Sequence, residues 1–166
     1  LKGVLLRRYK RFLADIETAE GEQITVHCPN PGAMTGCAKP GSQIRCSTSD
    51  NPKRKLRHTL EMIRVGRSWV GLQPMYANRL VKSALEAGAI EKLRGYREVR
   101  PEVKVHGGSR LDFMLSGHAR RRKPLYIEVK SVTLAQEGVA RFPDAVTTRG
   151  RRHMDTLAQL HKDGAR

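Results

Sequence analysis

The chain has 166 residues, 32 Lys+Arg against 16 Asp+Glu, a net charge of +16 and an isoelectric point near 10.5. That length fits one ordinary domain or two small ones. No apolar run approaches a transmembrane helix and no basic amphipathic helix carries an aromatic face, which argues against a membrane protein; the charge excess points to a polyanion, nucleic acid above all.

Residues 1 to about 73 read as all-β. Val4-Leu5-Leu6 leads into Tyr9, Phe12, Leu13 and Ile16, and Gly21 marks a turn before a short strand from Gln23 to Cys28. Pro29-Asn30-Pro31-Gly32 is turn-rich, and Pro40-Gly41 starts another reversal before Gln43-Ile44-Arg45-Cys46. Strands follow at Leu60–Val65 and, after Gly66, at Ser68–Leu72. Five short strands at this spacing predict a small barrel of the OB type. Cys28, Cys37 and Cys46 are odd in number and lack the C-x-x-C pairing of zinc sites, so they read as reduced thiols of a cytoplasmic protein. No secretory leader is visible, and because the chain starts at Leu1 a short leading piece can precede it.

Near Pro74 the period changes. Tyr76, Leu80, Ala84 and Leu85 predict a helix that ends near Gly88. Strands are then expected at Tyr96–Val105, Arg110–Leu115 and Leu125–Val132, and a second helix from about Thr148 to His161 with Met154, Leu157 and Leu160 on one face. The expected organisation is α+β with two domains, residues 1–73 and 74–166.

The segment from Asp112 to Lys130 carries the chemistry. Asp112 lies on one apolar strand, and Glu128-Val129-Lys130 lies on the next. Residues i and i+2 of a strand share a face, so Glu128 and Lys130 project together, and hairpin pairing brings Asp112 within reach. Two carboxylates and a lysine on an apolar sheet are costly to desolvate without a partner, and they suit a hard divalent metal and a phosphodiester. Taken alone, such a pattern is an ordinary surface salt bridge.

Further blocks run along the whole chain: Arg8-Tyr9-Lys10-Arg11-Phe12-Leu13-Ala14-Asp15; His27-Cys28-Pro29-Asn30 with Gly32-Ala33-Met34; Tyr76-Ala77-Asn78-Arg79-Leu80; Arg110-Leu111-Asp112-Phe113; Ile127 to Leu134; and Phe142 to Thr147 with Arg149-Gly150 and His153. With these blocks in this order the chain resembles the sugar fermentation stimulation protein A family of bacteria and archaea. The resemblance implies an N-terminal OB-like β-barrel followed by a PD-(D/E)xK nuclease-like α/β domain, DNA binding, and a link to the regulation of sugar catabolism. Pro31 stands where that family more often has Thr. Family members also continue past Arg166, so the second domain is expected to be truncated here.

On this resemblance Asp112 and Glu128 are expected to hold Mg2+ or Mn2+, with the Val129 carbonyl as third ligand and Lys130 beside the attacking water. Glu86, late in the first helix, is the candidate for a further carboxylate. Asp144, Arg149 and His153 are expected either to flank the site or to serve as a helix cap and solvated residues. For DNA, single- or double-stranded, the expected contacts are Arg8, Lys10, Arg11, Lys53, Arg54, Lys55, Arg149, Arg151 and Arg152, with a further basic run at Arg120–Lys123. Aromatic residues make up only 5%, so stacking platforms are few. Two functions compete: a metal-dependent deoxyribonuclease, and a non-catalytic, largely sequence-nonspecific DNA-binding regulator. RNA binding through the OB-like half is a third reading, and a homo-oligomer is left open.

Overall fold

The computed structural model describes residues 1–143 and 146–166, so the expectation for Asp144 lies outside the described residues. Contacts divide the chain into two units: Leu1–Pro74 with the segment that begins at Ser131, and Met75–Lys130 with Val146–Arg166.

In the first unit, β1 (Lys2–Tyr9), β2 (Leu13–Thr18), β3 (Gln23–His27), β4 (Gln43–Thr48) and β5 (His58–Val65) form a closed barrel. The antiparallel pairs β1–β2, β2–β3, β1–β4 and β4–β5 are joined into a ring by the parallel contact His27↔Thr59 between β3 and β5. Register shifts at Leu5/Arg7 and Arg45/Cys46 supply the bends that closure requires. Alternation sends Leu5, Ala14, Ile16, Val26, Ile44, Leu60 and Ile63 into a dry core. The OB-like barrel is therefore present, but with a different set of strands from the one expected. The run from Val4 to Ile16 breaks into β1 and β2 at Lys10 and Arg11, whose φ angles are 46° and 65°. Sequence hides this turn because two L-residues, not glycines, occupy the left-handed region. The expected fifth strand becomes β6 (Ser68–Gly71), which pairs with β5 outside the ring.

The loop from Cys28 to Cys37 closes one end of the core, with Cys28, Met34 and Cys37 fully buried. Burial pushes the Cys46 thiol, on β4, up to about 11, so it behaves as a core residue and not as a nucleophile. Arg8 holds the loop. Its guanidinium donates to the carbonyls of Arg11 (2.8 Å), Asn30 (2.9 Å), Gly32 (2.8 Å) and Ala33 (3.4 Å). Arg8→Ala is expected to cost about 2 kcal/mol by leaving half-buried carbonyls unpaired. Arg8→Lys would recover little of this, since an ammonium cannot fork across the same acceptors. Thermal unfolding of both variants checks this; an unchanged midpoint for Arg8→Ala would refute the clamp.

The second unit opens with α1 (Pro74–Glu86), Pro at its first position where no N–H is needed. Its inward side differs from expectation. Tyr76 and Leu80 are 45% and 71% exposed, while Ala77, Asn78, Val81, Ala84 and Leu85 are half-buried. The three-stranded antiparallel sheet has the order β7 (Glu98–Lys104), β8 (Arg110–Ser116), β9 (Leu125–Ile127). Central β8 buries Leu111, Phe113 and Leu115 on one face and leaves Asp112 and Met114 half-buried on the other. Strand β9 stops at Ile127 rather than at the expected Val132. Beyond it, in the first unit, an unanticipated hairpin forms from β10 (Leu134–Gln136) and β11 (Val139–Arg141), with Glu137 and Gly138 at positive φ in its turn.

Helix α2 (Thr148–Lys162) is capped by Thr147, whose hydroxyl accepts from the Gly150 N–H at 3.0 Å. Its buried residues are Gly150 and His153, whereas the expected Met154 is 49% exposed. Among the described residues no helix is long and apolar enough to cross a membrane.

Candidate active site

The β8–β9 register ends at the pair Phe113 and Ile127, the residues next to Asp112 and Glu128. The Val129 N–H donates to Asp112 Oδ2 at 2.7 Å, which locks the chain just past β9 onto β8. Asp112 Oδ1 accepts from Asn78 Nδ2, also at 2.7 Å, so α1 orients the same carboxylate. Although Glu128 and Lys130 lie beyond the end of β9, their side chains still meet: Lys130 Nζ donates to Glu128 Oε1, and His153 Nδ1 bonds the same oxygen. The Glu128 side chain is 3% exposed, that of His153 8% and that of Lys130 24%.

The two oxygens of Glu128 are unequal. Oε1 takes both neighbours, while Oε2 is buried without a hydrogen-bond partner. Burial opposes ionisation of Glu128, yet hydrogen bonds from Lys130 and His153 and their charges outweigh it and hold its carboxyl below the usual range. The site therefore presents an anionic glutamate with one free, desolvated oxygen, one residue away from the Val129 N–H that is bonded to Asp112. Such an atom costs free energy unless a cation or donor meets it. Among the described residues no three His, Cys, Asp or Glu side chains converge as a ready-made metal cage. A hard divalent ion held by two carboxylates can complete its shell with a backbone carbonyl, water and a ligand's oxygens, so the donor set fits Mg2+ or Mn2+ and does not fit a closed zinc site.

Two family models cover the chain. The sugar fermentation stimulation protein N-terminal OB domain matches residues 6–72, and the sugar fermentation stimulation protein RE domain matches residues 75–166. The chain belongs to the sugar fermentation stimulation protein family.

Relatives within this family agree along the whole length. A homolog from Pseudoalteromonas atlantica is 48% identical over 168 residues, covering 100% of this chain and 71% of the relative. One from Alkalilimnicola ehrlichii is 51% identical over 167 residues, covering 99% and 70%. A solved structure of Pyrococcus furiosus SfsA in complex with Ca2+ matches with a TM-score of 0.83 at 24% identity, covering 99% of this chain and 68% of that one, and it shows the shared fold.

The other expected site residues separate into groups. Glu86 is 56% exposed and paired with Lys82 at 3.8 Å, and no bond joins it to Asp112 or Glu128 among the described residues; the α1 residue bonded to Asp112 is Asn78, two turns earlier. Arg8 is taken up by the loop carbonyls and does not present its charge to a ligand. Lys10 and Arg11 are exposed at the β1–β2 turn beside Phe12, which stacks on His27 with centroids 6.4 Å apart. Lys53, Arg54 and Lys55 are exposed on the β4–β5 loop, Arg54 bonding the Thr59 hydroxyl at 2.8 Å. Arg149, Arg151 and Arg152 are exposed on the first turns of α2, and Arg151 lies 4.0 Å from Asp155.

Proposed function

We propose that this chain binds DNA and carries a metal-dependent phosphodiester-hydrolysing site of the PD-(D/E)xK type. The observation that carries the proposal is the unpartnered, buried Oε2 of Glu128, with Lys130 on the opposite oxygen and Asp112 tied to the adjoining Val129 N–H. The Ca2+ in the structure of the Pyrococcus furiosus relative supports a hard, oxygen-seeking cation in this family. Asp112 and Glu128 would hold Mg2+ or Mn2+ here, with the Val129 carbonyl as an available third donor. When bound, the ion polarises a phosphoryl oxygen and eases ionisation of water.

The protein's own groups do the rest. Asn78 and the Val129 N–H fix the Asp112 carboxylate, so it meets its ligand without reorganising. Lys130 keeps an ammonium within reach of the attacking water or of the charge that gathers on the phosphate. His153 and Lys130 hold Glu128 ionised and fix its rotamer from behind. The net charge of +16 and the exposed cations of both units supply affinity for a phosphate backbone without a source of base readout. A supercoiled plasmid incubated with the protein is expected to be nicked with Mg2+ or Mn2+ and left intact in EDTA. DNA that is bound but never cut with any divalent ion would leave the non-catalytic regulator.

A further inference from the structure

The tip of the β8–β9 hairpin is not used by the site above. His118 and Arg121 pair there as an antiparallel bridge around a two-residue turn, with the Arg121 N–H donating to the His118 carbonyl at 3.2 Å. The Arg120 N–H donates to His118 Nδ1 at 3.0 Å, so that ring nitrogen acts as an unprotonated acceptor. Tyr96 packs edge-on against the imidazole, with centroids 4.9 Å apart at 64°. Gly95 makes this approach possible: its φ is +91°, and a Cβ there would sit 2.9 Å from His118 Nε2. The turn is an ordered platform and not a free loop.

The turn from Gly117 to Pro124 holds no acidic residue. Arg97, Arg120, Arg122, Lys123 and Arg166 are exposed and Arg121 is half-exposed, and among the described residues none of them forms an ion pair with a carboxylate. Arg166 instead donates to the Tyr96 hydroxyl at 3.5 Å. Two nearby acids already have partners: Glu98, at the base of the hairpin, accepts from the Ser116 hydroxyl at 2.8 Å and lies 3.5 Å from Arg100, and Asp163 accepts from the Gln159 amide at 3.0 Å. Desolvation and the charges of Arg121, Arg166 and Arg120 lower the His118 pKa, in keeping with its acceptor role. Like charges held together on a fixed turn repel one another, and a polyanion relieves that repulsion.

We propose that the β8–β9 hairpin tip is a second phosphate-gripping station for DNA, set apart from the Asp112–Glu128 pair along the same strand. It rests on the reading under Proposed function and adds a length requirement to it. Asp112 and Ser116 are the third and last residues of β8, a separation of about 14 Å at a rise of ~3.4 Å per residue. Duplex DNA advances about 3.4 Å per base pair. The tip lies beyond Ser116, so on a duplex that runs along β8 it meets phosphates at least about four base pairs from the one at the carboxylates.

The test is fluorescence anisotropy of the full chain with a duplex of about 24 base pairs in EDTA, across a salt series. Arg120→Glu/Arg121→Glu is expected to weaken binding at least about tenfold and to lower the salt slope by about 2. Arg120→Gln/Arg121→Gln should weaken it less, with unchanged thermal unfolding in both. The charge-matched control Arg64→Glu/Arg67→Glu, at the end of β5 and in the turn to β6, should lose clearly less affinity. Equal losses in the control and in the hairpin variant would reduce the effect to net charge and overturn the station. Wild-type affinity in the hairpin variant would overturn it too while leaving the DNA-binding reading intact. Failure of the wild type to bind any DNA would instead bring down that reading, and the station with it.

Discussion

Glu128→Gln is expected to abolish metal-dependent nicking, by about 10²-fold or more, while leaving DNA affinity within a few-fold of the wild type. The amide keeps the shape of the side chain but removes the charge that Lys130 and His153 hold in place. It also places an NH2 group or a neutral oxygen where the unpartnered Oε2 now sits. Each tenfold loss corresponds to about 1.4 kcal/mol of transition-state stabilisation, so the loss amounts to about 3 kcal/mol or more. Asp112→Asn should behave alike. Lys130→Ala should retain metal affinity, measurable by titration calorimetry, yet lose turnover to a similar degree. Asn78→Ala acts only through the orientation of Asp112 and should cost less than any of these. Plasmid nicking by Glu128→Gln at the wild-type rate would remove the carboxylate pair from the mechanism.

DNA affinity is expected to fall about 10³-fold between about 50 and 200 mM salt, and by the same factor for unrelated duplex sequences. That figure corresponds to release of counterions from about six phosphates. The exposed cations are numerous enough for this: Lys10, Arg11, Lys53, Lys55, Arg149 and Arg152 have no ion-pair partner among the described residues. Removing the charge of Lys10 or Arg11 should lower the slope by about 1 each. Removing that of Arg8 should act through stability instead, because its donors already serve four carbonyls. Anisotropy titrations with two duplexes of different sequence decide the matter; a salt-insensitive or sequence-selective complex would contradict a phosphate-borne interface.

The contact of Lys130 with Glu128 and the tie between Asp112 and the Glu128–Lys130 segment follow from closeness in the chain and from the β8–β9 hairpin, both legible in the sequence. Asn78 is polar, so apolar periodicity does not mark it as an inward position of α1. Packing turns it inward together with Ala77, Val81, Ala84 and Leu85, and leaves Tyr76 and Leu80 outside. The same error of rotation placed Met154 on the buried face of α2, where His153 lies. Arg8 shows a different limit: a basic run reads alike whether its members face water or a loop's carbonyls.

The sequence by itself determined the barrel-then-α/β order, the positive charge that favours a polyanion, and the hairpin that ties Asp112 to the Glu128–Lys130 segment, since composition, periodicity and neighbouring strands are local properties. Only the tertiary structure decided that Arg8 is spent on the fold, that Glu86 is exposed beside Lys82, that Asn78 and His153 brace the two carboxylates, and that one oxygen of Glu128 is left without a partner. Those outcomes depend on contacts between residues far apart in the chain, where burial and the competition for hydrogen bonds, and not residue type, set what each side chain can do.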